Sequence, residues 1–192
     1  CTEYRQKKCG LAHCPYLKEK IEAGAVDYKT LVEDCFAGNK NIAFGRRLTF
    51  VYERRKPSLY KNAEHRDRFT LAKSAKDMRR CNTPPHILAA LFLLTASFSL
   101  WSRCETAITN RGICFEKVNL RGIAMNDYIV FQAAKTIYTG KESITISDLG
   151  DRTVVEDAEF YVIIAACLLA KYGADLLSLE ETFREDLSKW YE

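Results

Sequence analysis

The sequence lacks the short signatures that mark common catalytic centres. GNKN and RGI do not make a phosphate-cradling loop, and there is no HExxH, no GxSxG and no glycine-rich dinucleotide turn. Only three histidines occur, His13, His65 and His86, and each stands alone. Internal repeats and low-complexity segments are also absent. The longest apolar stretch, ILAALFLLTASFSLW from Ile87 to Trp101, contains three hydroxyl residues and falls short of the roughly 20 residues a membrane span needs. It reads as a buried helix. The N-terminal residues are polar and show no apolar run of the kind that begins a secretory leader, and no membrane partner is expected.

What is present points to helices. The 192 residues suffice for one domain, or one domain with a small N-terminal module. A chain of this size buries about 70% of its unfolded surface, so a real core is available. PYLKEKIEAG reads as a short helix closed by Gly24, and DYKTLVEDCFAG as a second one, capped by Asp27 and closed by Gly38. A third helix is expected from Asn41 to Lys56, stopped by Pro57, with Phe44, Leu48, Val51 and Arg55 on one face. Asn62 caps a fourth over NAEHRDRFTLAKSAKDM.

Thr83, Pro84 and Pro85 open the apolar central helix, and Ser99 or Ser102 begins a shorter one. Asn126 or Asp127 caps YIVFQAAKTIYTG, VVEDAEFYVIIAACLLAKYG makes a second buried helix, and Ser178 with Glu181 gives SLEETFREDLSKWYE a capping box. ICFEKV, from Ile113, is the best strand candidate, and ITIS, from Ile144, is its expected partner. The fold expected is mainly α: a multi-helix orthogonal bundle over residues 58–192, with at most one short β-hairpin. A Cys-rich, basic helical module occupies residues 1–57.

Charge divides unevenly along the chain. From Asp148 onward there are eleven acidic and four basic residues; the first 147 residues hold 25 basic and 14 acidic. This division has two readings, an anionic partner for the N-terminal part or attraction between the two parts within the fold. Arg46, Arg47, Arg54, Arg55, Arg79 and Arg80 form the basic clusters, with Tyr52 and Tyr60 nearby. Arginines interleaved with aromatics can contact phosphates and stack on bases, so these six are the candidate nucleic-acid or partner-binding residues. The competing reading makes them a solvated helix face or partners of the acidic helices.

Eight cysteines occur. Disulfides are one reading of the even count, but dense disulfides belong to small secreted domains with poor cores. Cys167, inside IIAACLLA, reads as a buried apolar filler. Cys1, Cys9, Cys14 and Cys35 lie in a segment with few apolar residues, where a structural Zn²⁺ would supply folding energy. His13 can substitute for one thiolate. Simple burial of these cysteines is the alternative. A cysteine nucleophile assisted by His65 or His86 is a third functional reading, behind protein binding and direct nucleic-acid binding.

AEHRDRF, ALFLLTASFSLW, ICF and ISDLGDRTVVEDAEFYVIIAACLLAKYG together resemble a family of small uncharacterised proteins of Gram-positive bacteria, over roughly residues 63–172. Members of that family tend to occur in phage and conjugative-element gene neighbourhoods. The resemblance implies a cytoplasmic accessory protein of a mobile element, a regulator or an inhibitor of a host defence nuclease complex. Its partner would be a protein or a nucleoprotein complex. It implies no catalytic residues, and the Cys-rich N-terminus lies outside it.

Overall fold

The computed structural model describes residues 10–54, 58–75, 83–109 and 112–179, with the backbone alone at residues 13 and 51–54. Among these are nine α-helices: α1 (Leu17–Glu22), α2 (Tyr28–Cys35), α3 (Ile42–Arg54), α4 (Ala63–Ala75), α5 (Pro85–Leu94), α6 (Phe98–Cys104), α7 (Met125–Thr139), α8 (Ile146–Gly150) and α9 (Asp157–Tyr172). The described sheet is one antiparallel hairpin, β1 (Ile108–Thr109) with β2 (Gly112–Ile113), pairing Ile108 with Ile113. The protein is thus mainly helical.

Local chemistry sets many helix ends. The Asp27 carboxylate accepts from the Thr30 amide at 2.8 Å, and Asn62 Oδ1 accepts from the His65 amide at 2.8 Å. Each satisfies an amide that the first turn leaves without an intrahelical partner. Gly140 (φ 68°) closes α7 in the left-handed region, where glycine carries no Cβ penalty.

Other ends depart from expectation. Gly38 is not left-handed; α2 stops earlier, with Phe36 in the capping position. Pro84, rather than Thr83, caps α5, and no side chain takes part. The central helix stops at Leu94, and Ser97 starts α6 by accepting from the Leu100 amide at 3.1 Å. Neither Asn126 nor Asp127 caps α7; Ala124 holds that position. ICFEKV does not pair with ITIS. Ile113 ends β2, Phe115–Lys117 forms a 3-10 turn, and Thr145 caps α8 in a reciprocal box with Asp148. Strong capping chemistry at Thr145-x-x-Asp148 outweighs the β-branched composition of a four-residue run.

The core is built on α5. Every residue from Leu88 to Leu94 is buried, so the helix is enclosed on all sides. It packs against α7 and α9; the described segment long and apolar enough for a membrane span, Asp157–Leu177, comprises α9 and the 3-10 turn after it, and its buried residues line that same interior. The N-terminal helices join it. Leu17, Ile21, Leu31 and Val32 are buried in one cluster continuous with α5 and α9, with α2 against α9 and α3 against α8. The boundary expected at residue 57 therefore does not separate two cores. Nor do α1 and α2 lack apolar burial, which was the energetic ground for expecting a metal to hold them.

Candidate interaction surfaces

The six arginines separate into distinct fates. Arg55, Arg79 and Arg80 lie outside the described residues, as does the Arg54 side chain. Arg46 is exposed on α3. Arg47, its neighbour, is 2% exposed. Its guanidinium donates to the Leu149 carbonyl at 2.9 Å and the Asp157 carboxylate at 2.9 Å, and also reaches the Val155 carbonyl. The Phe160 ring lies 4.2 Å from its central carbon. Arg47 is thus a strut between α3 and the α8–α9 loop, with no face left for a phosphate.

A second cross-chain pair, Lys61 Nζ to Glu159 at 2.8 Å, joins the basic part to the acidic part through a buried carboxylate. Attraction within the fold thus accounts for part of the charge division.

The candidate thiol and histidine groups have mostly structural surroundings. Cys1 and Cys9 lie outside the described residues, as does the His13 side chain. Cys14 is buried and Cys35 half-buried beside Asp34 and Lys171. Among the described residues, no three His, Cys, Asp or Glu side chains come together as a metal would require. Burial pushes the Cys35 thiol up to about 11 and those of Cys104 and Cys167 to about 12, so all three stay protonated near neutrality and are poor nucleophiles.

His65 is wholly buried among Tyr60, Phe69 and Phe92. Its Nδ1 accepts from the Lys61 amide at 3.1 Å, which places the ring proton on Nε2, 2.8 Å from the Phe92 carbonyl. With both nitrogens occupied by backbone, His65 has no lone pair to offer a thiol. His86 is exposed, 5.8 Å from the Tyr138 ring.

Two groups of large apolar side chains stand out on the surface instead. The first lies where the starts of α6 and α7 meet. Phe98 is 72% exposed and Met125 70%, with Tyr128 one turn on. The Ser97 hydroxyl donates to the Asp127 carboxylate at 2.6 Å, which holds these two helix ends side by side.

The second lies along α3 and α8. Ile42 on α3 is 71% exposed and Ile146 on α8 is also exposed, as is Val154 in the loop after α8. Beside them runs a shallow groove of about 490 Å³ lined by Cys35, Phe36, Gly38, Asn39, Lys40, Asn41 and Ile146. The amino-acid sequence gave little warning of either group, because a phenylalanine or isoleucine at a helix start is more readily assigned to the core than to the surface.

Comparison with protein families, with curated proteins and with solved structures finds no match for this chain.

Proposed function

We propose that this is a non-enzymatic binding protein, acting as a regulator by occupying another protein or a nucleoprotein complex. The observation that carries the reading is the exposure of three large apolar side chains, Phe98, Met125 and Tyr128, on two helix starts that the Ser97–Asp127 hydrogen bond holds together. Water-exposed aromatic and Met side chains clustered at one place are the composition of an interface centre rather than of an ordinary surface. The Ser97–Asp127 hydrogen bond fixes the two helix ends before any partner arrives, which lowers the ordering cost of association. The setting implied by the resemblance, an accessory protein of a mobile element acting in the cytoplasm, suits such a role, and inhibition of a defence nuclease complex is one form it can take.

Of the two candidate arginines whose side chains are described, direct nucleic-acid binding retains exposed Arg46, since Arg47 is engaged inside the fold. A structural Zn²⁺ on Cys1, Cys9, Cys14 and Cys35, with His13 as substitute, would tie down the first residues of the chain; metal analysis of the purified protein tests for about one zinc per chain.

Site-specific photocrosslinking tests the binding reading. A photoreactive phenylalanine analogue at position 98, in cells that naturally carry this chain, is expected to give an adduct of one discrete mass. Excess unlabelled protein should compete it away, and the Met125→Asp variant should not compete. The same probe at exposed position 142 should give none. Absence of any competed adduct at position 98 and at position 42 overturns the reading. A salt-sensitive complex with oligonucleotide alone would favour the nucleic-acid alternative.

A further inference from the structure

We propose that the α3–α8 face is a docking site for an acidic amphipathic helix of a partner protein, an inference that rests on the binding reading above and gives one surface its ligand chemistry. Ile42, Arg46 and Phe50 are spaced by four along α3 and therefore share one stripe of it. Ile42 and Arg46 are exposed. α8 lies against the first turn of this stripe: Asn41 Nδ2 donates to Ser147 Oγ at 3.2 Å, and a Cβ on Gly150 would stand 3.0 Å from the Phe44 amide nitrogen. That close approach brings exposed Ile146 beside the start of α3 and opens the groove along Lys40 and Asn41. At the other end of the stripe the Arg152 guanidinium covers the Phe50 ring at 4.5 Å, with exposed Val154 two residues on.

Charge selects the occupant. Arg152 already lies 3.8 Å from the Asp157 carboxylate. Lys40 and Arg46 are exposed and make no ion pair among the described residues, while the carboxylates that α8 brings here, Asp148 and Asp151, accept hydrogen bonds within their own turns, from Thr145 and Thr153. The two cations on the flank of the apolar stripe thus stand without a carboxylate partner among the described residues. An aliphatic strip flanked by cations is the complement of a helix with apolar anchors about one turn apart and carboxylates beside them. Single-stranded nucleic acid fits less well. Bases stack on open aromatic faces, whereas the exposed large apolar groups here among the described residues are Ile42, Ile146 and Val154, and one face of Phe50 is occupied by Arg152.

The test uses the full chain and three fluorescent probes: an amphipathic peptide with a leucine stripe and glutamate flanks, the same stripe with lysine flanks, and an oligothymidine strand. The glutamate peptide is expected to bind at least about tenfold more tightly than the lysine peptide, with an affinity that falls as salt is added. Arg46→Glu should weaken it by about tenfold or more and Ile42→Asp should abolish it. Both residues are exposed, so both variants should keep the thermal transition of the parent chain. Lys117→Ala, at an exposed position outside both surfaces, should leave peptide binding unchanged.

Equal binding of the lysine peptide, preference for oligothymidine, or indifference to both α3 substitutions overturns the proposal. So does self-association that Arg46→Glu abolishes, which would make a second copy the occupant. If the glutamate peptide fails while position 98 or position 42 still crosslinks, the binding reading stands and this assignment alone falls; failure of the peptide with silence at both positions removes both.

Discussion

Arg47 and Asp157, 110 residues apart in the chain, meet at 2.9 Å between Nη2 and Oδ1. The arginine is almost wholly buried and the carboxylate half-exposed. What fixes the guanidinium is therefore the set of carbonyls around it, at Leu149 and Val155, as much as the ion pair. Arg47→Met would leave those acceptors buried without donors and should cost about 3–5 kcal/mol. Arg46→Met, one residue away and exposed, should change stability by no more than about 0.5 kcal/mol. Urea denaturation of the two variants checks the contrast, and similar losses would mean that Arg47 is not the strut described.

His65 should give stability a pH dependence. Burial, opposed in part by the bond to Phe92, holds its pKa down from 6.5 to about 4. Between those values the unfolded chain binds a proton that the folded chain does not, so stability is full above about pH 6.5 and falls as the pH drops to about 4. The loss over that window should be about 3 kcal/mol. Asp34, held below 3.8 by Lys171 and Tyr172, acts at lower pH: its stabilisation is present above 3.8 and is lost below that. Denaturant titrations from pH 7.5 to pH 4, on the parent chain and on His65→Gln, separate the two. An undiminished slope in His65→Gln would show that another group carries the effect.

Gly112 sits in the hairpin at φ 143°, and a Cβ there would come within 2.4 Å of the Tyr138 hydroxyl oxygen. That hydroxyl accepts from the Ile113 amide at 3.1 Å, so the tyrosine is held against the glycine. Gly112→Ala should lower stability by about 2 kcal/mol or more, part from backbone strain and part from the clash. Repeating it in a Tyr138→Phe background should recover the part due to the clash. Strict additivity of the two substitutions in thermal unfolding would show that the close approach carries no strain.

The hold on α2 can be tested by removing metal. The Tyr172 hydroxyl lies 3.0 Å from the Leu31 carbonyl, and Lys171 Nζ donates to the Asp34 carbonyl at 2.7 Å and its carboxylate at 2.9 Å. With Leu31 and Val32 also buried in the common core, a strong chelator should leave their amides protected in hydrogen exchange. Rapid exchange at those two residues after chelation would mean that bound zinc, rather than packing on α9, holds α2.

The caps at Asp27 and Asn62, the left-handed end at Gly140 and the burial of Leu88–Leu94 as a helix all follow from nearest neighbours and period. These were legible because each is a contest decided within a few residues. The hairpin was legible as a short strand at Ile113, but not in its pairing. Whether Ile113 pairs forward or back depends on what covers the strand, and Thr145 was already engaged as a helix cap. Arg47 left a trace that composition obscured. It lies three residues after Phe44 and one before Leu48, both buried, and so within the buried arc of α3.

By itself, then, the sequence determined a mainly helical protein, because amphipathic period, caps and an enclosed apolar segment are local properties of a chain. Only the tertiary structure decided that the N-terminal helices share the core with α5 and α9, since burial of Leu17 or Leu31 depends on a surface more than 100 residues away. It also decided that Arg46 faces water while Arg47 faces carbonyls, and that Ile42, Ile146 and Phe98 stay outside. An apolar residue carries no mark of which side it will take. That choice belongs to the packing of the other helices, which leaves some apolar surface uncovered.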